Sequence, residues 1–199
     1  METVTLSTLV ADTGETPRTL NHWTDIGILR PKHTTDRKGR GNRRFYAAEP
    51  LHGERKYALL ASAMNRLRLP LVDIKMLIYA DRLHYDPVDD LRQYADPKHI
   101  EIALQHREQH ERDKVLGSTH PYEAALAGEQ NVFVVIAARP HDPVRPFQSC
   151  YLRQHAWDDV MAAKGNNKLM LNLMADNTSA VVLNLSEIFR PLYAAKEPS

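Results

Sequence analysis

Two short helical patterns fall within the first 25 residues with about four residues between them, and that economy leaves few folds open. Over residues 5–11, Leu6, Leu9 and Val10 take the i, i+3, i+4 spacing of one helix face, with Thr3 or Thr5 as the candidate cap. Gly14 suits the left-handed residue that closes a helix. Thr16 then caps a second helix and Pro17 takes its first position, where a missing N–H costs nothing. This second helix extends to about Asp25, and Gly27 ends it. Leu20 and Trp23 face inward, while Arg18, Asn21, His22 and Asp25 face outward. Ile28 and Leu29 tie the following segment to the core, and Pro31 stops any further helix. The order is that of a helix-turn-helix.

A strongly basic loop follows directly. Lys32, Arg37, Lys38, Arg40, Arg43 and Arg44 fall between Lys32 and Arg44, accompanied by a single acid, Asp36. Gly39 and Gly41 make its tip a turn. Arg44-Phe45-Tyr46 reads as a returning strand, so the loop is a wing. Lysine and arginine neutralise phosphates and release counterions, which makes such a loop a nucleic-acid contact rather than only a solvated surface. The net charge of the whole chain, +1, hides this. Residues 1–80 carry 13 Lys+Arg against 8 Asp+Glu, a net of +5; residues 81–199 carry 13 against 17, a net of −4. That asymmetry indicates a nucleic-acid-facing half joined to a different module.

Helical periodicity resumes over Pro50–Arg68, with an apolar face of Leu51, Tyr57, Leu59, Leu60, Ala63, Met64 and Leu67. After Pro70, Leu71–Ala80 is a short helix with Val72, Ile74, Leu77 and Ile78 buried. Asp81–Asp96 is acidic, is broken by Pro87, and reads as a linker or a short helix. Lys98–Leu116 is a very polar helix whose apolar line is thin: Ile100, Ala103, Leu104 and Val115. Such a helix bridges solvent or uses its seam on a partner. Beyond the break at Gly117–Gly128 the pattern is α+β. Val132–Ala138, Phe147–Arg153, Leu169–Met174 and Ala180–Leu185 read as strands, the last two as a hairpin. Ala156–Lys164 reads as a helix, and Ser186 caps a final one to about Tyr193. The expected architecture is a mainly α N-terminal winged helix-turn-helix domain over residues 1–80. A linker and candidate dimerisation helix follows over 81–117, then a small α+β domain over 118–199.

Several classes of function find no support. No apolar run approaches the roughly 20 residues that span a bilayer. The N-terminus has no basic segment before an apolar one, so no secretory signal is expected. The single cysteine, Cys150, permits no internal disulfide and reads as a small buried hydrophobe, which suits a cytoplasmic setting. His106 and His110 share a helix face, but Arg107 stands where a zinc-protease pattern needs glutamate, and two surface histidines are the reading. Asp158 and Asp159 read as the outer face of a helix. Neither a glycine-rich phosphate loop nor a nucleophile elbow is present. Neither enzyme activity nor a metal or other cofactor is expected.

In four places, in order, the residues resemble the MerR family of bacterial transcription regulators. Thr13-Gly14 precedes Pro17-Arg18-Thr19-Leu20, then Gly27-Ile28-Leu29-Arg30-Pro31, similar to that family's T-L-R-Y-Y…G-L-L-x-P run. A basic wing ends in Arg44-Phe45-Tyr46, similar to its R-x-Y. Leu69-Pro70-Leu71-Val72-Asp73-Ile74-Lys75 resembles its G-F-S-L-E-E-I-K segment. The resemblance spans roughly residues 3–80. It implies that Arg18 contacts DNA from the recognition helix, that His22 and Trp23 hold its two aromatic positions, and that Arg44 and Tyr46 grip phosphate. Asn21 departs from the arginine usual there, although asparagine still bonds a base edge or a phosphate. The resemblance also implies a homodimer formed through a long helix after the DNA-binding domain. Metal-sensing members place cysteines on or after that helix; this chain has none there.

The expected site comprises Thr16, Arg18, Thr19, Asn21, His22, Trp23, Lys32, Arg37, Lys38, Arg40, Arg43, Arg44 and Tyr46. Trp23 is either core or contact, and Tyr46 equally suits a core strand position. The expected partners are double-stranded DNA, a second copy of the chain, RNA polymerase at the promoter and an unknown small-molecule or protein effector, with no membrane. Two other functions remain open on these residues: an excisionase-like or architectural DNA-bending factor, and a ligand- or protein-interaction module with a degenerate helix-turn-helix.

Overall fold

In a computed structural model the chain divides into two compact units, residues 1–118 and 119–199. The structure describes residues 2–35, 43–49, 53–92, 97, 100–101, 104, 108, 121–128, 131–138, 147–154, 157–158 and 180–193.

The first unit begins with a strand, β1 (Thr3–Thr5), where the sequence suggested only a helix cap. Thr5 does stand at the cap position of α1 (Leu6–Thr13), but its side chain makes no capping hydrogen bond. Its backbone is committed instead to β3 (Arg43–Ala47), with Thr3 opposite Ala47 and Thr5 opposite Phe45. Three residues are too few for an alternating pattern to reveal a strand. Gly14 closes α1 at φ 70°, its N–H donating to the Val10 carbonyl. Helix α2 (Pro17–Asp25) follows after Gly14, Glu15 and Thr16. Strand β2 (His33–Thr35) pairs antiparallel with β3 on the side away from β1, so the sheet order is β1-β3-β2.

Helices α3 (Glu54–Arg66) and α4 (Leu71–Tyr85) complete the core. Leu9, Leu20, Trp23, Ile28, Leu29 and Ile74 are all sealed from water. The turn between the helices reverses at Arg68, which holds φ 60°. The amides of Leu69 and Arg68 donate to the Met64 and Asn65 carbonyls, the paired bonds that satisfy a helix end.

Three expectations about this region are corrected. Val72 is 64% exposed rather than buried, because Ile74 and Ile78 define the inward stripe of α4 and Val72 lies two residues off it. Leu67 is also exposed, since it stands past the last turn of α3. Helix α4 runs five residues beyond Ala80, through charged residues that the sequence suggested were a linker or a short helix. Those charges are paired inside. Arg82, 2% exposed, donates from Nη1 and Nη2 to the two Glu54 carboxylate oxygens at 2.9 Å each, and from Nη1 to Asp86 Oδ2 at 3.1 Å. Nη2 also donates to the Ile28 carbonyl at 2.9 Å. Tyr57 donates to Asp86 Oδ1 at 2.6 Å, and the Arg82 guanidinium stacks 3.8 Å from the centre of its ring. Lys56, fully buried, pairs with Asp81 at 3.2 Å. A short helix, α5 (Val88–Leu91), follows Pro87.

Residues 100, 101, 104 and 108 are helical; the rest of the Lys98–Leu116 stretch, with His106 and His110, lies outside the described residues.

The second unit holds a three-stranded antiparallel sheet, order β5-β4-β6, from β4 (Val132–Ala138), β5 (Phe147–Arg153) and β6 (Ala180–Asn184). Cys150 lies in β5 opposite Val135. The described partner of β6 is β4; the expected strand at Leu169–Met174 lies outside the described residues. So does most of the expected Ala156–Lys164 helix, where Trp157 stacks on Phe133 at 4.9 Å and Asp158 accepts from Gln154. Helix α6 (Pro121–Ala127) precedes the sheet, and α7 (Leu185–Tyr193) ends the unit with Leu185, Phe189 and Leu192 buried at i, i+4, i+7. Its cap is not Ser186 but Asn184, whose Oδ1 accepts from the Glu187 amide at 3.2 Å. Ser186 lies inside the helix, where its hydroxyl accepts from the Val132 amide. Gly128 holds φ 73°, and a Cβ there would stand 2.9 Å from the Tyr193 ring.

The buried charges generate two predictions. Trp157→Phe leaves Trp23 as the sole tryptophan, so its fluorescence reports the first unit alone. In that background Arg82→Met leaves Glu54 and Asp86 buried without their cation and costs about 3–5 kcal/mol in a denaturant titration. A loss below about 1 kcal/mol counts against the pairing. The second concerns alkali. Burial first, then the neighbouring Asp81 and Asp86 carboxylates, push the Tyr57 phenol well above its ordinary value of 10.0. The unfolded chain therefore releases this proton first, and Tyr57 stabilises the fold fully below pH 10 and progressively less above it. The stability gap between the parent and Tyr57→Phe narrows as pH rises past 10.

Candidate nucleic-acid interface

The exposed face of α2 is built from its cap outward. Thr16 Oγ1 accepts from the Thr19 amide at 3.1 Å and lies 2.9 Å from the Thr19 hydroxyl. With Pro17 at the first position, the helix start is capped by its own residues. Leu20 and Trp23 anchor the inner side. Arg18, His22 and Asp25 are exposed, and Thr19 and Asn21 are half-buried.

Three groups on α3 clamp α1 and the turn that precedes α2. Arg55 grips Asp12 through Nε and Nη2 at 2.7 and 2.9 Å. Ser62 donates to Glu15 at 2.9 Å, and Arg66 donates to the Thr13 carbonyl at 2.6 Å. Behind α2, the Arg30 amide donates to Glu54 Oε2 at 2.9 Å, so the buried Glu54–Arg82 pair fixes the chain on both sides of Leu29.

Strand β3 holds α2 at two levels. On the buried level, Thr24 spends its hydroxyl hydrogen on the Leu20 carbonyl, so Tyr46 donates to Thr24 Oγ1 at 3.0 Å. On the exposed level, Arg44 donates from Nη1 to Asn21 Oδ1 at 3.3 Å and from Nη2 to Asp25 Oδ1 at 2.7 Å. Residues alternate along the strand, so Arg44 and Tyr46 share the face toward α2. Arg43 and Phe45 take the other face. There Phe45 stacks on His33 at 4.6 Å, and the Arg43 guanidinium lies 5.1 Å from its centre.

The expected site residues therefore separate by position. Thr16, Arg18, Thr19, Asn21 and His22 come together on α2, with Arg44 beside them. Lys32 and Arg43 are exposed on the β2–β3 ladder. Trp23, 1% exposed, and Tyr46, sealed entirely, are core residues that support the face from within. Arg37, Lys38 and Arg40 lie outside the described residues. Sequence reasoning left Asp25 out of the site. The signal was present, since Asn21 and Asp25 are four residues apart on one helix face, where a single guanidinium spans both. Among the described residues no group of three or more His, Cys, Asp or Glu side chains is arranged to hold a metal, and no helix is long and apolar enough to cross a membrane.

Removing the α2 cap measures how far that helix depends on local chemistry. In the Trp157→Phe background, Thr16→Ala costs about 1 kcal/mol in denaturant, and Thr16→Ser restores most of it. Equal losses from both substitutions would assign the effect to the threonine methyl instead.

Residues 4–51, from β1 past β3, match the family described as MerR HTH family regulatory protein. No curated protein matches the chain. The N-terminal unit carries a helix-turn-helix domain of the MerR family.

Proposed function

We propose that the chain is a sequence-specific DNA-binding transcription regulator that acts through its MerR-type domain. The observation that carries this reading is the exposed face of α2. Arg18 and His22 project from a helix whose buried side is anchored by Trp23 and whose edge is tied to the cation Arg44. In this reading α2 enters the major groove, with Arg18, Asn21 and His22 reaching base edges or flanking phosphates. Thr16 and Thr19 lie at the helix start, where backbone N–H groups favour an anion. The wing formed by β2, β3 and the loop between them grips the backbone through Lys32, Arg43 and Arg44, joined by Arg37, Lys38 and Arg40. Phosphate contacts set register, and the helix supplies sequence readout. Trp23 and Tyr46 contribute from the core.

The regulator acts as a homodimer on a pseudo-palindromic promoter site in the bacterial cytoplasm, where RNA polymerase is the neighbour it influences. Residues 1–86, closed by the buried Arg82–Asp86 cluster, bind DNA, residues 87–117 link and dimerise, and residues 118–199 take a small-molecule or protein effector.

Fluorescence anisotropy tests the reading with the highest-affinity duplex that the protein selects from a random-sequence pool. Arg18→Ala lowers affinity for that duplex by about 1–3 kcal/mol and relaxes its sequence preference; Arg44→Ala weakens binding and reduces the salt slope by about 1. If no duplex is enriched, or if neither substitution weakens binding, the DNA reading fails.

A further inference from the structure

The pair formed by Arg44 and Asp25 sets a carboxylate on the surface that the proposed function presents to a polyanion. We infer that Asp25 is a specificity-determining residue: it occupies the phosphate-binding fork of Arg44 and yields it only to a duplex that docks in full register. The inference rests on the DNA-binding reading above.

Three observations carry it. The first is geometry. Both terminal nitrogens of Arg44 are engaged by α2, one by Asn21 at 3.3 Å and one by Asp25 at 2.7 Å. Arginine binds phosphate through the same fork that it offers a carboxylate, so the two anions compete for one set of donors. The second is exposure. Arg44 is 29% exposed and Asp25 60%, so the ion pair lies in water and is screened. Pairs of this kind hold weakly, and a phosphate brought to the same distance displaces the carboxylate at little cost. The third is the placement of Asn21. It is half-buried, carries no charge and holds Nη1 alone, so Arg44 keeps its position across the gap between β3 and α2 when Asp25 lets go. An arginine at position 21 would repel Arg44 instead of orienting it.

The result is discrimination by the withheld cation. On a mismatched duplex α2 sits away from the groove floor, no phosphate reaches Arg44, and the Asp25 carboxylate repels the backbone it faces. On the preferred duplex a phosphate replaces Asp25, and Arg44 adds its contact. Specificity gained by penalising the wrong partner in this way needs no further base contact.

The experiment compares the preferred duplex with a scrambled duplex of equal length and composition, for the full chain, Asp25→Ala, Asp25→Asn, Arg44→Ala and Arg44→Ala/Asp25→Ala. With Arg44 released, one more phosphate is neutralised on scrambled DNA. The log affinity against log salt slope then steepens by about 0.9, and affinity at 0.15 M salt rises about fivefold. Affinity for the preferred duplex stays within about twofold, so the specificity ratio falls about fivefold. Asp25→Asn shifts both readouts in the same direction, and Arg44→Ala abolishes the effect of Asp25→Ala. The inference is overturned if Asp25→Ala changes both duplexes by the same factor, leaves the scrambled duplex unchanged, or acts equally without Arg44. Loss of folding by the Asp25 variants, read as a lowered melting temperature, also overturns it, because the pair would then be structural. Failure of the parent chain to bind any duplex instead removes the DNA-binding reading itself.

Discussion

The arrangement of the N-terminal unit depends on one guanidinium. Arg82 lies near the end of α4, yet it bonds to the first residue of α3, to Asp86 at its own helix end, and to the carbonyl of Ile28 just past α2. Burial alone would lower its pKa, but the Glu54 carboxylate, aided by Tyr57 and Asp86, more than offsets this and holds it above its ordinary value. The cation is therefore present at every pH the fold survives. Its Nε finds no hydrogen-bond partner among the described residues, which shows how much of its surroundings is given over to the terminal nitrogens. Breaking such a cluster by removing one member is expensive, whereas its net worth against a well-packed apolar substitute is small. Its contribution is positional. Glu54 also accepts the Arg30 amide, so three elements meet on one carboxylate–guanidinium pair.

With that corner fixed, α2 is held on every side except the one that faces solvent. Trp23 and Leu20 fill the core beneath it, α3 clamps the turn before it, and β3 reaches it from the side through Tyr46 and Arg44. A nine-residue helix is too short to persist in water alone. Here tertiary contacts supply the persistence, and the exposed residues are free to be chosen for what they touch. Lys56 shows the cost of the same economy. Burial lowers its pKa, and the Asp81 and Asp86 carboxylates oppose the shift.

Much of this was legible in the sequence where the signal was local. Gly14, the Thr16-Pro17 pair and Gly27 announce their backbone roles by residue type, and the Leu20–Trp23 spacing identifies the inner face of α2. Non-local features were harder. Arg82, Asp81 and Asp86 read as part of an acidic linker or short helix because hydrophobic patterning does not reveal a buried charge. Nothing near them in sequence reveals that Glu54 and Lys56 wait in the first turn of α3. Trp23 and Tyr46 were ambiguous for the opposite reason: an amphipathic aromatic suits either a core or a phosphate, and only the third dimension decides. Asn184 and Ser186 are both good caps, and the choice falls to Asn184 because a strand amide from Val132 claims the serine. The departure at Asn21 becomes intelligible once Arg44 is seen to rest on it.

Helix ends ordinarily fray independently, each opening and closing without consequence elsewhere. The last turn of α4 lacks that freedom. To unwind around Arg82 it must also release the carbonyl of Ile28, and the Glu54 carboxylate that holds the Arg30 amide loses its cation. Two helix termini more than fifty residues apart in sequence thus share a single opening event. The most peripheral-looking part of α4 belongs to the same cooperative block as the end of α2.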